Sequence, residues 1–455
     1  MITYILFYTT YFGGIFMALF RYPVLAFVVY QLIYFYNPKG RWWGVSVPDI
    51  SYSYSTVITM MLVFLFTFKV ANQNALLKIP AFRWAAALYL CLLFSTQFAA
   101  FPDVHMFALE NHIKMLITIA IAYKLIDTQQ KLNWSLWAYV YGSWYITYLA
   151  QQLGRNRGGR VQGIGTVDSP DANGIAAAIA PAIVIGIYYL WQCDKKWQKG
   201  LFFIALVFIA NGLILINSRG AILGVAVSLT YFFGVMYFSK VRKKSQKLIV
   251  MMFAVLGLSG GLYLADDSFI ERMQTMVISS EEVDLTEESG ATRFLFWKYA
   301  FEMSKDYPFG AGARGFVALS PIYLPADLGT GASRNRATHS TWLEALTEAG
   351  FIGFFCMLML MYSTFKMLTT VERKFKQEGN IKSYYLVISI KAGLICFMVS
   401  MTFLNRLRAE ILYWLILYAA CLYNIYILKP KLKVEYSEQK NGRFKKTLLE
   451  KERQQ

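Results

Sequence analysis

Apolar residues along this chain come in blocks rather than in alternation. Thirteen runs stand out, at 1–20, 23–36, 54–70, 84–101, 113–126, 134–153, 174–191, 201–216, 220–239, 248–265, 341–369, 383–404 and 410–428. A helix of about 20 apolar residues crosses a bilayer, with a range of about 17–25. The pattern therefore predicts an all-α integral membrane protein, a polytopic bundle of 12–13 transmembrane helices. Two runs, 23–36 and 113–126, are short and read as half-spans or as spans that borrow flanking residues. With thirteen full spans the N-terminus faces out; a half-span among the first two segments turns it inward. The runs form one membrane unit over 1–428, followed by a basic tail over 429–455.

The polar segments set the orientation. The stretch KVRKKSQK after Ser239 holds five basic residues and no acid, 371–382 and 193–200 are also basic, and the tail holds nine basic residues against four acids. Lys and Arg concentrate in cytoplasmic loops, so alternation puts these four segments and the C-terminus in the cytoplasm. The regions 154–173, 217–220 and 266–340 then face out. Residues 1–20 lack Lys and Arg and a small-residue cleavage site, which argues against a signal peptide.

At about 75 residues, 266–340 is far longer than an ordinary connection. Its stretch 279–290 is acidic and reads as a solvated surface, with a calcium site as the alternative. From Thr292 to Asp306 the spacing of Phe294, Trp297, Phe301 and Lys305 predicts a helix lying on the outer membrane surface and ending near Pro308.

Composition narrows the class. Hydrophobic residues make up 57% and charged residues 16%, against about 45–50% and about 25% in soluble proteins; a disordered chain is excluded as well. Five cysteines in or beside apolar runs, without paired spacing, exclude a disulfide scaffold. The net charge of +18 fits basic loops and anionic lipid rather than nucleic acid.

Against that orientation, the outward regions are rich in arginine. Long loops translocate regardless of charge, which covers Arg272, Arg293, Arg314, Arg334 and Arg336. Arg155, Arg157, Arg160 and Arg219 lie in short loops and need another reason. Arg219 sits in the tight break Asn217-Ser218-Arg219-Gly220, at or just inside the bilayer surface, where a charge is usually functional or paired; the plainer alternative is a snorkelling anchor. Guanidinium forks suit bidentate phosphate recognition, so arginines on several loops suggest a diphosphate clamp. Gly158, Gly159, Gly163 and Gly165 allow backbone N–H groups near an anion.

His339 lies where the long loop enters a span and is a candidate general base, or a helix-capping polar residue. His105 and His112, with Glu110 nearby, give an incomplete ligand set, so no metal is expected. Lys391, in the middle of a span, admits a transporter reading, set against a lysine packed in the bundle's polar interior.

Several motifs follow in order: RVQG from Arg160, PDANGIA from Pro170, NSRGAILG from Asn217, ATRFLFW from Ala291, PFGAG from Pro308, and THSTWLEALTEAGFIG from Thr338. In this order they resemble the bacterial O-antigen ligase superfamily, which includes the O-antigen polymerases. PVLAF from Pro23, NPKGRWWG from Asn37, and FPDV from Phe101 leading to Lys114 look like the exosortase-associated O-glycosylation ligase branch.

The resemblance implies a bundle of about twelve spans related to the lipid-dependent (GT-C-like) glycosyltransferases, with a large periplasmic loop, in the bacterial inner membrane. It implies transfer of a glycan from undecaprenyl diphosphate to an acceptor such as lipid A core or a protein, without nucleotide, metal or other cofactor. It carries the family's essential residues onto Arg219, Arg293 and His339, with Arg160, Arg157 and Arg314 as further diphosphate-binding candidates. Ligase is the favoured activity, repeat-unit polymerase the first alternative, and transporter or flippase the second.

Overall fold

The computed structural model describes residues 2–39, 41, 43–68, 74–156, 159–169, 171–267, 269–270, 290–326 and 333–430. Among the described residues the chain is helical, without strands. In hydrocarbon every backbone N–H and C=O needs a partner within the segment, which leaves the helix as the form for apolar runs.

Each of the thirteen runs falls on a helix. In chain order they are α1 (Thr3–Phe20), α2 (Leu25–Tyr36), α3 (Tyr52–Phe66), α4 (Pro80–Phe98), α5 (Pro102–Leu125), α6 (Gln129–Leu153), α7 (Ala172–Gln192), α8 (Lys196–Ile216), α9 (Arg219–Phe238) and α10 (Gln246–Leu264). Two helices of the long loop follow, α11 (Gly290–Asp306) and α12 (Gly315–Tyr323). The last three are α13 (Thr341–Glu378), α14 (Ile381–Met401) and α15 (Glu410–Leu428). Ten of them are long and apolar enough to span a membrane; α2 and α3 are shorter, and α6 has the length with a more polar sequence.

Burial sorts the helices into centre and rim. In α7 89% of the apolar window is buried, against 6% in α10, whose Leu248, Val255 and Leu262 point outward. The interior helices are tied by polar side chains as well as packing. Gln31 on α2 donates to the Tyr418 hydroxyl at 2.6 Å and accepts from Ser135 at 2.7 Å. Where α9 packs on α14, a Cβ added at Gly224 would lie 2.5 Å from the Cys396 carbonyl oxygen. Small residues permit such close approach between membrane helices.

Two of the boundaries read from the sequence are extended. Of the two readings of the run 113–126, the one that borrows flanking residues holds: its helix begins at Pro102 and is 24 residues long. Its first half carries Asp103, His105, Glu110 and His112, which mask the apolar signal. The basic segment 371–382 is largely helix, because α13 continues to Glu378. There Glu372 meets Lys391 of α14 at 2.8 Å, and Thr369 takes a second bond from that amine. The mid-span lysine is thus matched by a neighbouring acid.

Hydrogen bonds between connections define two polar faces. On one, Lys382 pairs with Asp194, Lys243 reaches Gln192, and Lys429 donates to Asp127 O. This face gathers the lysine-rich connections. On the other, Arg41 reaches Gly165 O, Arg155 pairs with Asp266, and Ala100 N–H bonds Ala311 O. The beginning of α1 belongs to this second face, since Phe7 packs on Trp43 and Tyr52. Helix α2 is short, at 12 residues, and largely buried.

The long loop docks through a break in α13. Gly350 has φ +70°, and a Cβ there would sit 2.2 Å from Pro308 O. The kink frees carbonyls that the helix would otherwise use. Thr347 O accepts Ala311 N–H at 2.8 Å, Glu348 O accepts Gly312 N–H at 3.2 Å, and Phe351 N–H turns to Pro308 O at 3.0 Å. Next to it, His105 Nδ1 accepts the Ala313 N–H at 2.8 Å and its Nε2 lies 3.1 Å from Leu92 O. His112 bonds the Tyr413 hydroxyl at 2.9 Å. The two histidines are held by separate partners, and Glu110 pairs instead with Lys114. The acidic stretch 279–290 lies outside the described residues but for Gly290.

Candidate functional site

The tight break after α8 is a left-handed turn. Asn217, at φ +54°, ends the helix; Asn tolerates this region better than most residues because its short amide bonds locally. Ser218 then opens α9, so Arg219 is the helix's first residue and is half-buried. The first turn of a helix presents unsatisfied N–H groups and the positive end of the dipole. A guanidinium placed there makes the position favour an anion.

The earlier glycine-rich loop pairs with this hairpin. Val161 N–H bonds Leu215 O at 3.2 Å, and Arg160 Nε bonds Ile216 O at 3.1 Å. Arg160 Nη2 also reaches Asn173 Oδ1 at 2.6 Å, on the first turn of α7. Arg160 is thereby fixed beside Asn217 and Arg219.

From the hairpin a chain of contacts leads to His339. Gly220 faces Phe403, whose Cβ lies 3.5 Å from the place a glycine Cβ would take. The Phe403 ring stacks on Trp297 at 6.3 Å between centroids. Trp297 Nε1 donates to Thr338 O at 2.9 Å. Trp297 lies one turn after Arg293 on α11, and Thr338 precedes His339. Residues four apart share a helix face, so Arg293 is presented on the side of α11 that meets the His339 segment. The helix expected over 292–306 is there as α11, and one of its faces packs in a cluster with Ala311, Phe316 and Leu324. Phe296, Ala300 and Met303 are buried, while Phe294 and Phe301 are exposed.

His339 has φ +47°, in the left-handed region, where a non-glycine residue is uncommon and is held by its surroundings. Its neighbours supply the hold. Asn405 Oδ1 accepts the Ser340 N–H at 3.1 Å and the Thr338 hydroxyl at 3.2 Å. Thr341 Oγ1 donates to Leu404 O at 2.6 Å and accepts Arg406 N–H at 2.9 Å. The short connection between α14 and α15 therefore acts as a strap across the base of the histidine.

That strap continues to the other loops. Arg406 donates to Asp168 O at 3.0 Å and pairs with Asp171 at 2.9 Å. Arg408 bonds Glu348 and lies 3.7 Å from Glu344, while Leu407 N–H takes Glu344 Oε2 at 3.0 Å. Burial opposes the Arg408 charge, but Glu348 and Glu344 outweigh it and raise its pKa above the usual guanidinium value.

These contacts bring the segments that carry Arg160, Arg219, Arg293 and His339 into one neighbourhood. Arg314 lies elsewhere: its backbone N–H bonds Glu348 at 2.7 Å and its exposed side chain lines a separate cavity. Arg157 lies outside the described residues. Arg155 and Arg334 have structural partners, the first in Asp266 and the second in the carbonyls of Leu324 and Pro325. The sequence reading passed over Asn405, Arg406 and Arg408. The rule that flags Arg219 flags these arginines too, since both sit in a short connection on the same face.

Residues 203–358 match the family described as O-Antigen ligase. The matched span contains Arg219, Arg293 and His339, while Arg160 and the strap lie outside it. The match does not reach the N-terminal segments that pointed to the exosortase-associated branch. No curated protein matches the chain.

Proposed function

We propose, from the match of residues 203–358 to the O-antigen ligase family, that the chain belongs to that superfamily and transfers a glycan from undecaprenyl diphosphate to an acceptor hydroxyl at the periplasmic face of a bacterial inner membrane. The observation that carries this reading is the Trp297–Thr338 bond. It joins the helix of Arg293 to the segment of His339, while Phe403 joins Trp297 to the Arg219 hairpin.

Arg219 and Arg293 hold the diphosphate and stabilise the charge that grows on it as it leaves. Arg160 orients it from the side of the hairpin. His339 takes the proton from the acceptor hydroxyl as the new bond forms between that oxygen and the anomeric carbon. The bond from the anomeric carbon to the phosphate oxygen breaks, its electrons leave with undecaprenyl diphosphate, and the anomeric centre inverts. Departure of the diphosphate drives the reaction, so these residues require neither nucleotide nor metal. The face with the lysine-rich connections is cytoplasmic in this reading, and the C-terminal tail lies there.

The test uses purified full-length protein with undecaprenyl-diphosphate glycan, with and without candidate acceptors, and separates products by size. A single-step shift that depends on acceptor, with release of undecaprenyl diphosphate, is expected. A ladder from donor alone identifies a polymerase instead. Failure to release undecaprenyl diphosphate under any of these conditions overturns the transferase.

A further inference from the structure

Three connections of the lysine-rich face meet at the end of α7. The first leaves α7 at Cys193 and enters α8 at Lys196. The second, 239–245, links α9 to α10 and is pinned to α14, because Tyr385 donates its hydroxyl to Val241 O at 2.9 Å. The third is the start of α14, where Lys382 O accepts the Tyr188 hydroxyl of α7 at 3.1 Å. Each brings a lysine. Lys382 pairs with Asp194 at 3.0 Å. Lys243 lies over the Trp191 ring and donates to Gln192 Oε1 at 3.0 Å. Lys199 stands on the first turn of α8.

Positive charge is in large surplus here. Residues 193–200 and 240–247 together with Lys382 hold nine cations and one acid, Asp194, and Lys382 already takes that acid. Burial first, then the nearby Lys199 and Lys382, push the Lys243 amine below the ordinary lysine value in spite of Asp194. The backbone adds to the surplus. Helix α8 starts without a side-chain cap, and open N–H groups at the positive end of a helix favour an anion.

Orientation in a membrane calls for basic residues on this face, but it does not call for a fixed position. Lys243 is fixed, and next to it a donor is left over. Gln192 is 4% exposed, its oxygen is used by Lys243, and its amide nitrogen has no acceptor among the described residues. A buried donor without an acceptor is costly, and a phosphate oxygen held by Lys243 supplies one. The rim points to the phosphate of a lipid. Trp197 and Phe238, at the ends of α8 and α9 beside these lysines, are 60% and 82% exposed, and Lys247 lies over the Tyr237 ring at 4.6 Å. Aromatic rings of this kind sit at the headgroup level, and basic pockets between spans on the cytoplasmic side suit anionic headgroups.

We propose that the end of α7 binds an anionic glycerophospholipid, with its phosphate among Lys199, Lys243 and Lys382. Its acyl chains lie along the outward surface of α8 and α10, where Phe203 and Leu248 are exposed. The lipid ties α7, α9 and α14 together at one end. Their other ends carry Asn173, Arg219 and the strap, so the frame of the arginine hairpin is braced from the opposite face. The binding does not depend on the transferase reading.

The experiment titrates purified full-length protein in detergent with phosphatidylglycerol, with phosphatidylcholine of the same chains, and with inorganic phosphate. Native mass spectrometry counts retained lipid, and thermal unfolding reads its effect. Saturable retention of a single phosphatidylglycerol, with a higher unfolding temperature, is expected. Lys243→Gln should weaken the apparent affinity about fivefold, the scale of one lysine beside an anionic lipid surface, and Lys243→Arg should bind as the parent does. Lys78→Gln removes the same charge from another connection of this face, the one that Asn74 bonds to the end of α5, and should leave binding unchanged. Equal loss in Lys78→Gln and Lys243→Gln means diffuse attraction and overturns the site, as does an unchanged affinity in Lys243→Gln. Equal retention of phosphatidylcholine, or no saturation, overturns it too. Displacement of the lipid by inorganic phosphate makes this a site for a soluble anion and overturns the lipid assignment.

Discussion

Asn405 grips Ser340 by its backbone N–H at 3.1 Å, and the same oxygen takes the Thr338 hydroxyl. One amide thus holds the residues on both sides of His339, whose own backbone is in the left-handed region. In the proposed reaction the imidazole must meet an acceptor hydroxyl with little tolerance, and misplacement by about 1 Å can cost about 10²-fold in rate. Asn405→Ala should lower kcat by roughly one to two orders of magnitude with the donor KM little changed. Asn405→Asp keeps the accepting oxygen and should recover part of the rate. A purely structural role predicts loss of folded protein, which size-exclusion and thermal unfolding in detergent read independently.

The proton acceptor itself gives the sharpest result. His339→Ala should abolish transfer while the protein remains folded in membrane, because the residue is half-buried at the end of a loop and Ser340 and Thr341 tie that loop to the α14–α15 connection. Donor binding, measured with labelled undecaprenyl diphosphate, should survive. Near-normal transfer by this variant removes His339 from the mechanism.

At the hairpin, charge and geometry can be separated. Arg219→Ala removes both, and Arg219→Lys keeps a cation on the first turn of α9 without the planar fork. Loss of one group that stabilises developing charge typically costs about 10²–10³ in kcat. The alanine variant should fall in that range, with lysine intermediate. Equal rates for the parent and lysine proteins mean that a point charge is sufficient and that the fork is not used.

Much of the fold was legible because lipid leaves few options. A run of about 20 apolar residues in a bilayer must become a helix, and all thirteen runs did. The failures fall where polar residues sit inside a helix for local reasons. The first half of α5 is polar because His105 accepts from Ala313, His112 bonds Tyr413, and Asn111 lines the same cavity as Arg314. Near the end of α13, Glu372 is charged because it pairs with Lys391 in the middle of α14. Arg219, Arg160, Arg293 and His339 were visible as charges out of place or as ordered motifs. Asn405 was not, since an asparagine in a short loop is ordinary until its partners across 65 residues of sequence are known.

The carboxylates below the strap supply a stability test. Glu344 and Glu348 lie inside α13 and are almost fully buried, and Arg408 is their common cationic partner. Removing one member of a buried ion network leaves uncompensated charge, at a cost of about 3–5 kcal/mol in soluble proteins. Arg408→Met should therefore lower the unfolding temperature in detergent markedly. The triple change Arg408→Met, Glu344→Gln, Glu348→Gln removes the charges together and should recover part of that loss, since amides still satisfy the Leu407 and Arg314 N–H groups that the acids now accept. If the single variant unfolds at the parent temperature, the network does not hold the strap to α13. If the triple variant is as unstable as the single, lost packing rather than stranded charge accounts for the effect.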